Sequence, residues 1–155
     1  MEKDKFSVGI AGFGVVGKRR RSFIDQHPKL KTVAVCDRNF KKPGKLPDGI
    51  RCYPSYKELL KDHLDILFVS LPNYLAAEVT IAGIEKNLHV FCEKPPGKTL
   101  NDIVRMQAFE KKNPGTKLMF GFNHRYHPGV MRAKSIVDSG RMGKIIVMRG
   151  VYGKS

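Results

Sequence analysis

Short apolar runs alternate with amphipathic stretches along most of the chain. The apolar runs are rich in Val, Ile and Leu, which is typical of strands buried on both faces of a parallel sheet. The sequence therefore predicts an α/β fold with a doubly wound, mostly parallel sheet and helices on both faces. The predicted strands are the run from Phe6 to the first glycine turn, Thr32–Cys36, Arg51–Tyr53, Leu64–Leu71, Leu88–Cys92 and Lys117–Phe122. The predicted helices are Val15–His27, Tyr56–Lys61 and Tyr74–Lys86.

Local signals refine this pattern. Residues 38–49 are rich in Pro, Gly and Lys and predict a surface loop. Ser55 and Glu58 have the spacing of a capping box, which marks the start of a short helix. The residues of the third predicted helix that we expect to face the sheet are Leu75, Val79, Ala82 and Ile84.

Three glycines follow the first apolar run at the spacing of a phosphate-binding loop. Gly12 permits a tight turn, Gly14 lets the backbone approach a pyrophosphate, and Gly17 lets the next helix pack against its strand. Asp37 ends the second apolar run twenty residues beyond Gly17, about where a dinucleotide fold places the carboxylate that binds the adenosine ribose. The sequence thus predicts a dinucleotide-binding fold; the alternative is a glycine-rich turn in another α/β protein.

Composition limits the class of protein. The 155 residues suit one domain with a sizeable core. No apolar run is long enough to cross a membrane, and the N-terminal residues lack the pattern of a signal peptide, so we expect a cytoplasmic protein. The three cysteines, Cys36, Cys52 and Cys92, lack the spacing of metal ligands, and no metal site is predicted.

The net charge of +15 suggests an anionic partner or a solvated basic surface. The densest basic cluster, Lys18–Arg21, opens the helix after the glycine loop, where it would add to the helix dipole near a diphosphate. The other basic residues are scattered, and no zinc-finger, basic-zipper or RNA-recognition motif is present. We therefore expect neither a nucleic acid nor a membrane among the partners.

Three predicted strands end in polar residues. These are Asp37, the pair Pro72–Asn73, and Glu93–Lys94–Pro95. Because the carboxyl ends of strands form the ligand crevice of open α/β sheets, we expect them to line one crevice. A lysine beside a substrate hydroxyl stabilises the developing alkoxide or relays its proton during hydride transfer, so Lys94 is the candidate catalytic residue. Its alternative is a solvated lysine in a turn, and Asn73 has the simpler alternative of capping the next helix.

Five stretches together resemble the Gfo/Idh/MocA family, named after glucose-fructose oxidoreductase, inositol dehydrogenase and a rhizopine catabolism protein. The Glu-Lys-Pro element is the most specific of them. The resemblance implies an NAD(P)-dependent dehydrogenase of a sugar, cyclitol or sugar nucleotide, with a Rossmann domain followed by an α+β substrate domain, and a homo-oligomer in the full-length form. The stretches are Gly12–Gly17, Asp37, Leu71–Asn73, Glu93–Pro96 and Gly121–Pro128.

The resemblance also implies roles for single residues. Those implied to bind the cofactor are Gly12, Phe13, Gly14, Val15, Val16, Gly17, Asp37, Arg38, Leu71, Pro72, Asn73, Glu93, Lys94 and Arg125. Those implied to bind substrate are Lys94, Asn123, His124 and Tyr126. From the residues alone, 123–126 merely cluster imidazole, guanidinium and phenol groups, and His127–Pro128 equally well marks the entry to the next helix.

The chain departs from the family pattern at two points. Ala76 stands where many members carry a histidine, and the sequence stops before the family's Asp-x-x-x-His element, whose histidine commonly acts as the base. By this resemblance residues 1–125 form the dinucleotide-binding domain, and residues 126–155 a connector and the start of a truncated second domain. The predicted connector helix is Val130–Val137, with Val130, Ala133, Ile136 and Val137 on one stripe, and the predicted first strand of the second domain is Lys144–Val151.

The expected function has two parts. The full-length relative would oxidise a secondary alcohol by hydride transfer to the nicotinamide, whereas these 155 residues alone would bind the cofactor without turnover. Asp37 favours NAD because it accepts from a ribose 2′-hydroxyl and repels a 2′-phosphate. Arg38 leaves NADP as the alternative by pairing with that phosphate, or it stacks on adenine. An alternative of another class is a non-catalytic NAD-binding or interaction module that uses the 144–151 strand as a pairing edge.

Overall fold

The structure is a computed structural model that describes residues 4–151 and residue 153. The chain divides into two compact units, one ending at Gly121 and the other beginning at Phe122. Each unit is described by itself. The first three residues, which belong to the N-terminal stretch without a signal-peptide pattern, and the end of the predicted second domain lie outside the described residues.

The first unit is built on a sheet of seven described strands. The strands are β1 Phe6–Ala11, β2 Leu30–Cys36, β3 Gly44–Lys45, β4 Arg51–Tyr53, β5 Ile66–Val69, β6 His89–Cys92 and β7 Leu118–Phe120. Their order is β3-β4-β2-β1-β5-β6-β7, and the only antiparallel pair among these described strands is β3 with β4. The prediction of a mostly parallel α/β sheet is confirmed.

Four α-helices of the first unit connect these strands. They are α1 Val15–Gln26, α2 Tyr56–Leu59, α3 Asn73–Glu85 and α4 Leu100–Lys112. Successive residues of β1 pack on opposite faces of the sheet, as the strand period requires. Ile10 belongs to a buried cluster with Ile24 of α1, whereas Ala11 belongs to a cluster with Val79 of α3. Helices therefore cover both faces, as expected for a doubly wound sheet.

The order of the strands creates a topological switch point at β1. The chain runs outward from β1 through β2 to β4, and then returns to place β5 on the other side of β1. Ligands of open α/β sheets bind in the crevice outside the carboxyl ends of the strands at such a point. The fold therefore positions a candidate site at the end of β1, between the loops that follow β2 and β5.

Two elements of the first unit were not predicted. Helix α4 begins with a capping box, in which the Thr99 hydroxyl accepts from the Asp102 amide and the Asp102 carboxylate accepts from the Thr99 amide. Strand β3 lies inside the predicted 38–49 loop. Ser55 caps α2 as predicted, but its hydroxyl accepts from the Lys57 amide. A capping box requires the Glu58 amide instead, so the predicted pairing of Ser55 with Glu58 is wrong.

The second unit contains a 3₁₀ turn, Asn123–Tyr126, and a helix α5, Pro128–Asp138. The helix predicted over Val130–Val137 is therefore confirmed, and its role as a connector stays a prediction. The predicted strand Lys144–Val151 is wrong, because these residues have no regular secondary structure. A strand exists through hydrogen bonds to a neighbouring strand, and the described residues of this unit offer none, although 145–148 are apolar. In the described part of the chain, no helix combines the length and apolar character needed to cross a bilayer.

Candidate functional site

A cleft of about 300 Å³ lies at the carboxyl ends of β1, β2 and β5. The glycine loop follows β1, Asp37 follows β2, and the Leu71–Pro72 pair follows β5. Of the three polar strand endings that the sequence predicted to share one crevice, the cleft therefore includes Asp37 and Pro72, whereas Asn73 and Glu93–Lys94–Pro95 are not among its lining residues. The residues that line the cleft are Gly12, Gly14, Asp37, Arg38, Asn39, Ser70, Leu71, Pro72, Tyr74 and Leu75.

The three loop glycines differ in their steric surroundings. Gly12 has φ +92°, and a Cβ there would lie 2.3 Å from the Ser70 carbonyl oxygen. A Cβ at Gly17 would lie 2.0 Å from the Gly12 carbonyl oxygen. At Gly14, in contrast, a Cβ would meet no atom within 4 Å and would point into open space. The tight turn at Gly12 and the close packing at Gly17 are confirmed, and Gly14 borders the space available to a ligand.

The N-terminus of α1 is open toward this space. Gly14 is its N-cap and provides no side chain to accept from the first amides, and no acidic residue lies in the first turn. These amide groups have no intrahelical acceptor, and the helix dipole places positive charge there. Val15 and Val16 are exposed. They offer backbone donors of the kind that bind an anionic diphosphate.

Asp37 is held in place by two backbone amides. Its Oδ2 accepts from the Phe13 amide at 3.0 Å, and its Oδ1 accepts from the Asn39 amide at 3.0 Å. The first bond joins β2 to the glycine loop, and the second closes an Asx turn. Each carboxylate oxygen keeps a further lone pair, so the group can still accept from a ligand hydroxyl.

A larger depression of about 480 Å³ lies beside α1 and is lined in part by Phe13 of the glycine loop. Arg21 is its central charged group and pairs with both Asp25 and Asp48. Hydrogen bonding to Arg21 lowers the pKa of Asp48 below its usual value. Because these charges already satisfy one another, this depression is a weaker candidate than the cleft at the strand ends.

Glu93 pairs with Arg20 of α1 rather than with Lys94. The Arg20 guanidinium bonds the Glu93 carboxylate and also lies 5.1 Å from the ring centroid of Phe91. A Cβ at Gly121 would lie 2.8 Å from Glu93 Oε2, so the carboxylate is confined on that side as well. The Glu93 side chain is therefore occupied by Arg20 and does not orient Lys94. Lys94 itself is exposed at the carboxyl end of β6.

The family model described as "Oxidoreductase family, NAD-binding Rossmann fold" matches residues 6–122 of this chain. The chain belongs to the Gfo/Idh/MocA family. The match covers the whole sheet and the cleft. The resemblance stated from the motifs is confirmed, and the NAD-binding description of the family agrees with the predicted cofactor.

Relatives of known activity support this assignment. Inositol 2-dehydrogenase of Salmonella paratyphi B is 31% identical over 148 residues, which cover 92% of this chain and 44% of the relative. The crystal structure of myo-inositol 2-dehydrogenase from Lactobacillus plantarum superposes with a TM-score of 0.78 at 28% identity, covering 92% of this chain and 43% of that one. The chain thus spans less than half the length of these Gfo/Idh/MocA relatives.

A further solved structure shows the same fold. The WlbA dehydrogenase from Bordetella pertussis, in complex with NADH and UDP-GlcNAcA, gives a TM-score of 0.81 at 24% identity, covering 93% of this chain and 42% of that one. The predicted Rossmann architecture is therefore confirmed by proteins that share little sequence with this chain.

The structure decides two points about the Pro72–Asn73 segment and the helix that follows it. Pro72 occupies the N-cap position of α3 and Asn73 is its first residue, so the alternative that Asn73 caps the helix is wrong. Ala76, which stands where many family members carry a histidine, is 1% exposed and packs in the core. This position therefore contributes a helix–sheet contact rather than a polar group.

The predicted substrate residues other than Lys94, and the predicted cofactor contact Arg125, lie in the second unit. Asn123, His124, Arg125 and Tyr126 form an exposed 3₁₀ turn. The alternative interpretation of the residues that follow is confirmed, because His127 Nδ1 accepts from the Gly129 amide at 3.2 Å and caps α5. The Gfo/Idh/MocA roles of the four turn residues remain predictions.

Sequence reasoning missed several residues of the cleft. Asn39 was signalled by the Asx-turn potential of the Asp37-Arg38-Asn39 stretch, whereas Ser70 and Tyr74 carried no motif signal. Of the thiols, burial raises the pKa of Cys36 to about 12 and also raises the pKa of Cys92. Both thiols therefore stay protonated at neutral pH and are inert packing groups rather than nucleophiles.

Proposed function

We propose that this chain binds NAD in the cleft at the strand ends and is the cofactor-binding part of a Gfo/Idh/MocA dehydrogenase. The observation that carries the proposal is the open position of Gly14. It lies at the uncapped N-terminus of α1, and the amide of its neighbour Phe13 holds the Asp37 carboxylate. A diphosphate needs unpartnered amides with room to approach, and an adenosine ribose needs a carboxylate beside them.

For the whole protein we propose oxidation of a secondary alcohol on a sugar, cyclitol or sugar nucleotide. The inositol 2-dehydrogenase relatives support this class. Bound NAD supplies the hydride acceptor. Lys94 would donate a hydrogen bond to the substrate oxygen and stabilise the alkoxide that develops as the proton leaves, because an exposed ammonium at the end of β6 is free to meet a ligand.

The remaining assignments are proposals of the same kind. Asn73 and the backbone of Glu93 would contribute to the nicotinamide half of the cofactor site, since the Glu93 side chain is occupied by Arg20. In the second unit, Arg125 would contact the cofactor. The proposed substrate contacts besides Lys94 are Asn123, His124 and Tyr126.

We further propose that these 155 residues bind the cofactor without turnover. The relatives are more than twice as long as the matched region, so most substrate contacts and the proton-accepting base would come from sequence beyond these residues. A steady-state assay with inositols and sugar nucleotides tests this point. Measurable reduction of NAD by this chain would contradict it.

Calorimetric titration with NADH and, separately, with NADPH tests cofactor binding. We expect NADH to bind more tightly, because Asp37 repels a 2′-phosphate. Asp37→Ser should weaken NADH binding by about tenfold or more, the loss typical of a hydrogen bond to a charged group, and should narrow the preference for NADH. Asp138→Ser, which removes an exposed carboxylate paired with Lys134 in the second unit, is the matched control. An unchanged NADH to NADPH ratio in Asp37→Ser would contradict the role of this carboxylate.

For the whole protein we also propose a cytoplasmic homo-oligomer that binds neither nucleic acid nor membrane. The support is its membership in a family of NAD-dependent dehydrogenases and the pairing of basic residues such as Arg20, Arg21 and Arg51 with carboxylates. Light scattering of the full-length protein tests the oligomer. Salt-dependent retention on DNA would contradict the proposal on nucleic acids.

A further inference from the structure

The acidic residues nearest to Lys94 in the sequence are Glu93 before it and Asp102 after it, and the fold occupies both carboxylates. Asp102 Oδ2 accepts from the Thr99 amide at 2.9 Å in the capping box of α4. The Glu93 carboxylate is paired with Arg20. The ammonium of Lys94, in contrast, is exposed and forms no hydrogen bond or ion pair with another residue that the structure describes.

The Arg20–Glu93 pair spans the face of the sheet that α1 covers. Arg20 lies on α1, which follows β1, whereas Glu93 follows β6, and β5 lies between these two strands. The guanidinium lies over Phe91, whose ring stacks on Phe68 of β5 at a centroid distance of 4.9 Å. Its Nε and Nη2 both bond Glu93 Oε1, and Oε2 lies against Gly121, where a Cβ has no room. The carboxylate is thus held from two sides.

This pairing determines the charge around Lys94. A lysine ammonium has three donors and no acceptor, and a carboxylate on the neighbouring residue is an anion within its reach. Because Glu93 already bonds Arg20, that negative charge is neutralised by another cation. Lys94 therefore keeps its charge and its donors for a ligand at the carboxyl end of β6.

We propose that Arg20 is a positioning residue for Lys94. By holding the Glu93 carboxylate, Arg20 prevents it from pairing with the lysine and keeps the ammonium available to the cofactor and the substrate. This inference rests on the proposed function, in which Lys94 meets the substrate oxygen where hydride passes to the nicotinamide. It adds a residue on α1 that acts through Glu93 without touching either ligand.

Calorimetry of this chain with NADH and, separately, with ADP tests the inference. ADP carries the adenosine and the diphosphate but lacks the nicotinamide and its ribose, the end of the cofactor that Lys94 would contact. In Arg20→Met the released Glu93 carboxylate pairs with Lys94, so we expect NADH to bind about tenfold more weakly, the loss typical of a hydrogen bond to a charged group. ADP should bind unchanged. Arg19→Met, which removes an exposed arginine from the same helix, is the matched control and should not change the ratio of the two affinities.

The double variant Arg20→Met/Glu93→Gln separates charge from packing. It has no carboxylate left to pair with Lys94, so its NADH affinity should return to near that of the parent chain. Unchanged NADH binding in Arg20→Met overturns the inference, as does a double variant that stays weak. An equal loss of NADH and ADP affinity also overturns it, because Arg20 would then act on the diphosphate or on the fold. In these cases the parent still binds NADH and only the role of Arg20 fails; if the parent binds neither nucleotide, the proposed function fails with it.

Discussion

Gly17→Ala is expected to destabilise the first unit, although a glycine to alanine change inside a helix normally stabilises it. Gly17 is the third residue of α1, and a Cβ there would lie 2.0 Å from the Gly12 carbonyl oxygen. Ordinary contact begins at 3.4 Å, so α1 would have to move by about 1.4 Å away from β1. That movement would loosen the packing of Ile24 against Val8 and Ile10.

The two opposing energies can be compared. Alanine gains about 1 kcal/mol of helix propensity over glycine. Overpacking of a close contact costs about 1–3 kcal/mol or more, and here the obstacle is backbone rather than a flexible side chain. We therefore expect the steric term to win and the free energy of unfolding to fall by about 2 kcal/mol, which corresponds to a decrease in Tm of roughly 4–8 °C for a chain of this size.

Urea unfolding followed by circular dichroism measures this change, and Gly14→Ala is the matched control. Gly14 has φ −76° and open space around its Cβ position. Its loss as an N-cap and its gain in backbone rigidity are each below about 1 kcal/mol and opposite in sign. Gly14→Ala should therefore keep its stability but lose NADH affinity. A Gly17→Ala chain as stable as the parent would refute the reasoning about the close approach.

Three further predictions concern contacts outside the cleft. Arg20→Met leaves the Glu93 carboxylate, whose side chain is 13% exposed, without its partner, and the free energy of unfolding should fall by about 1–3 kcal/mol. Adding Glu93→Gln to this variant should recover part of the lost stability. A further, additive loss in the double variant would argue against the pair. Thr99→Ala removes the cap of α4 and should cost about 1 kcal/mol in the same urea experiment; an unchanged midpoint would show that the cap is dispensable. The hydrogen bond from the Tyr56 phenol to Glu78 raises the pKa of Tyr56 to about 12. This bond stabilises the fold fully below the unfolded pKa of 10.0 and is lost as the pH rises toward 12. In an ultraviolet titration, Tyr56→Phe should therefore remove a phenol that titrates late.

The sheet and the glycine loop were predictable because their constraints are local. Gly12 and Gly17 answer steric demands within the turn or at the adjoining strand end, and the apolar runs at Leu67 and Val90 record burial on both faces of the sheet. Helix α4 was not predicted, although Ile103, Met106 and Phe109 recur at helical spacing and pack in one cluster. The Thr99 and Asp102 pair at its start is a second signal.

Contacts between distant parts of the chain were not predictable from spacing. The Arg20–Glu93 pair joins residues 73 positions apart, and the presence of Arg38 and Tyr74 in one cleft follows only from the strand order. The prediction of a strand over residues 144–151 failed for a different reason. Its composition favours a strand, yet a strand depends on a neighbour that the residues themselves do not specify.

The paired amide bonds to Asp37 have a consequence for how a ligand would be received. Because the amides of Phe13 and Asn39 already fix the carboxylate, the acceptor is preorganised, and the entropy of ordering it is lost when the chain folds rather than when a ligand binds. The hydrogen bond from the Phe13 amide also tethers the glycine loop. Replacing Asp37 should therefore speed amide hydrogen exchange at Phe13 in the free protein, so that the affinity of the site and the stiffness of its loop change together.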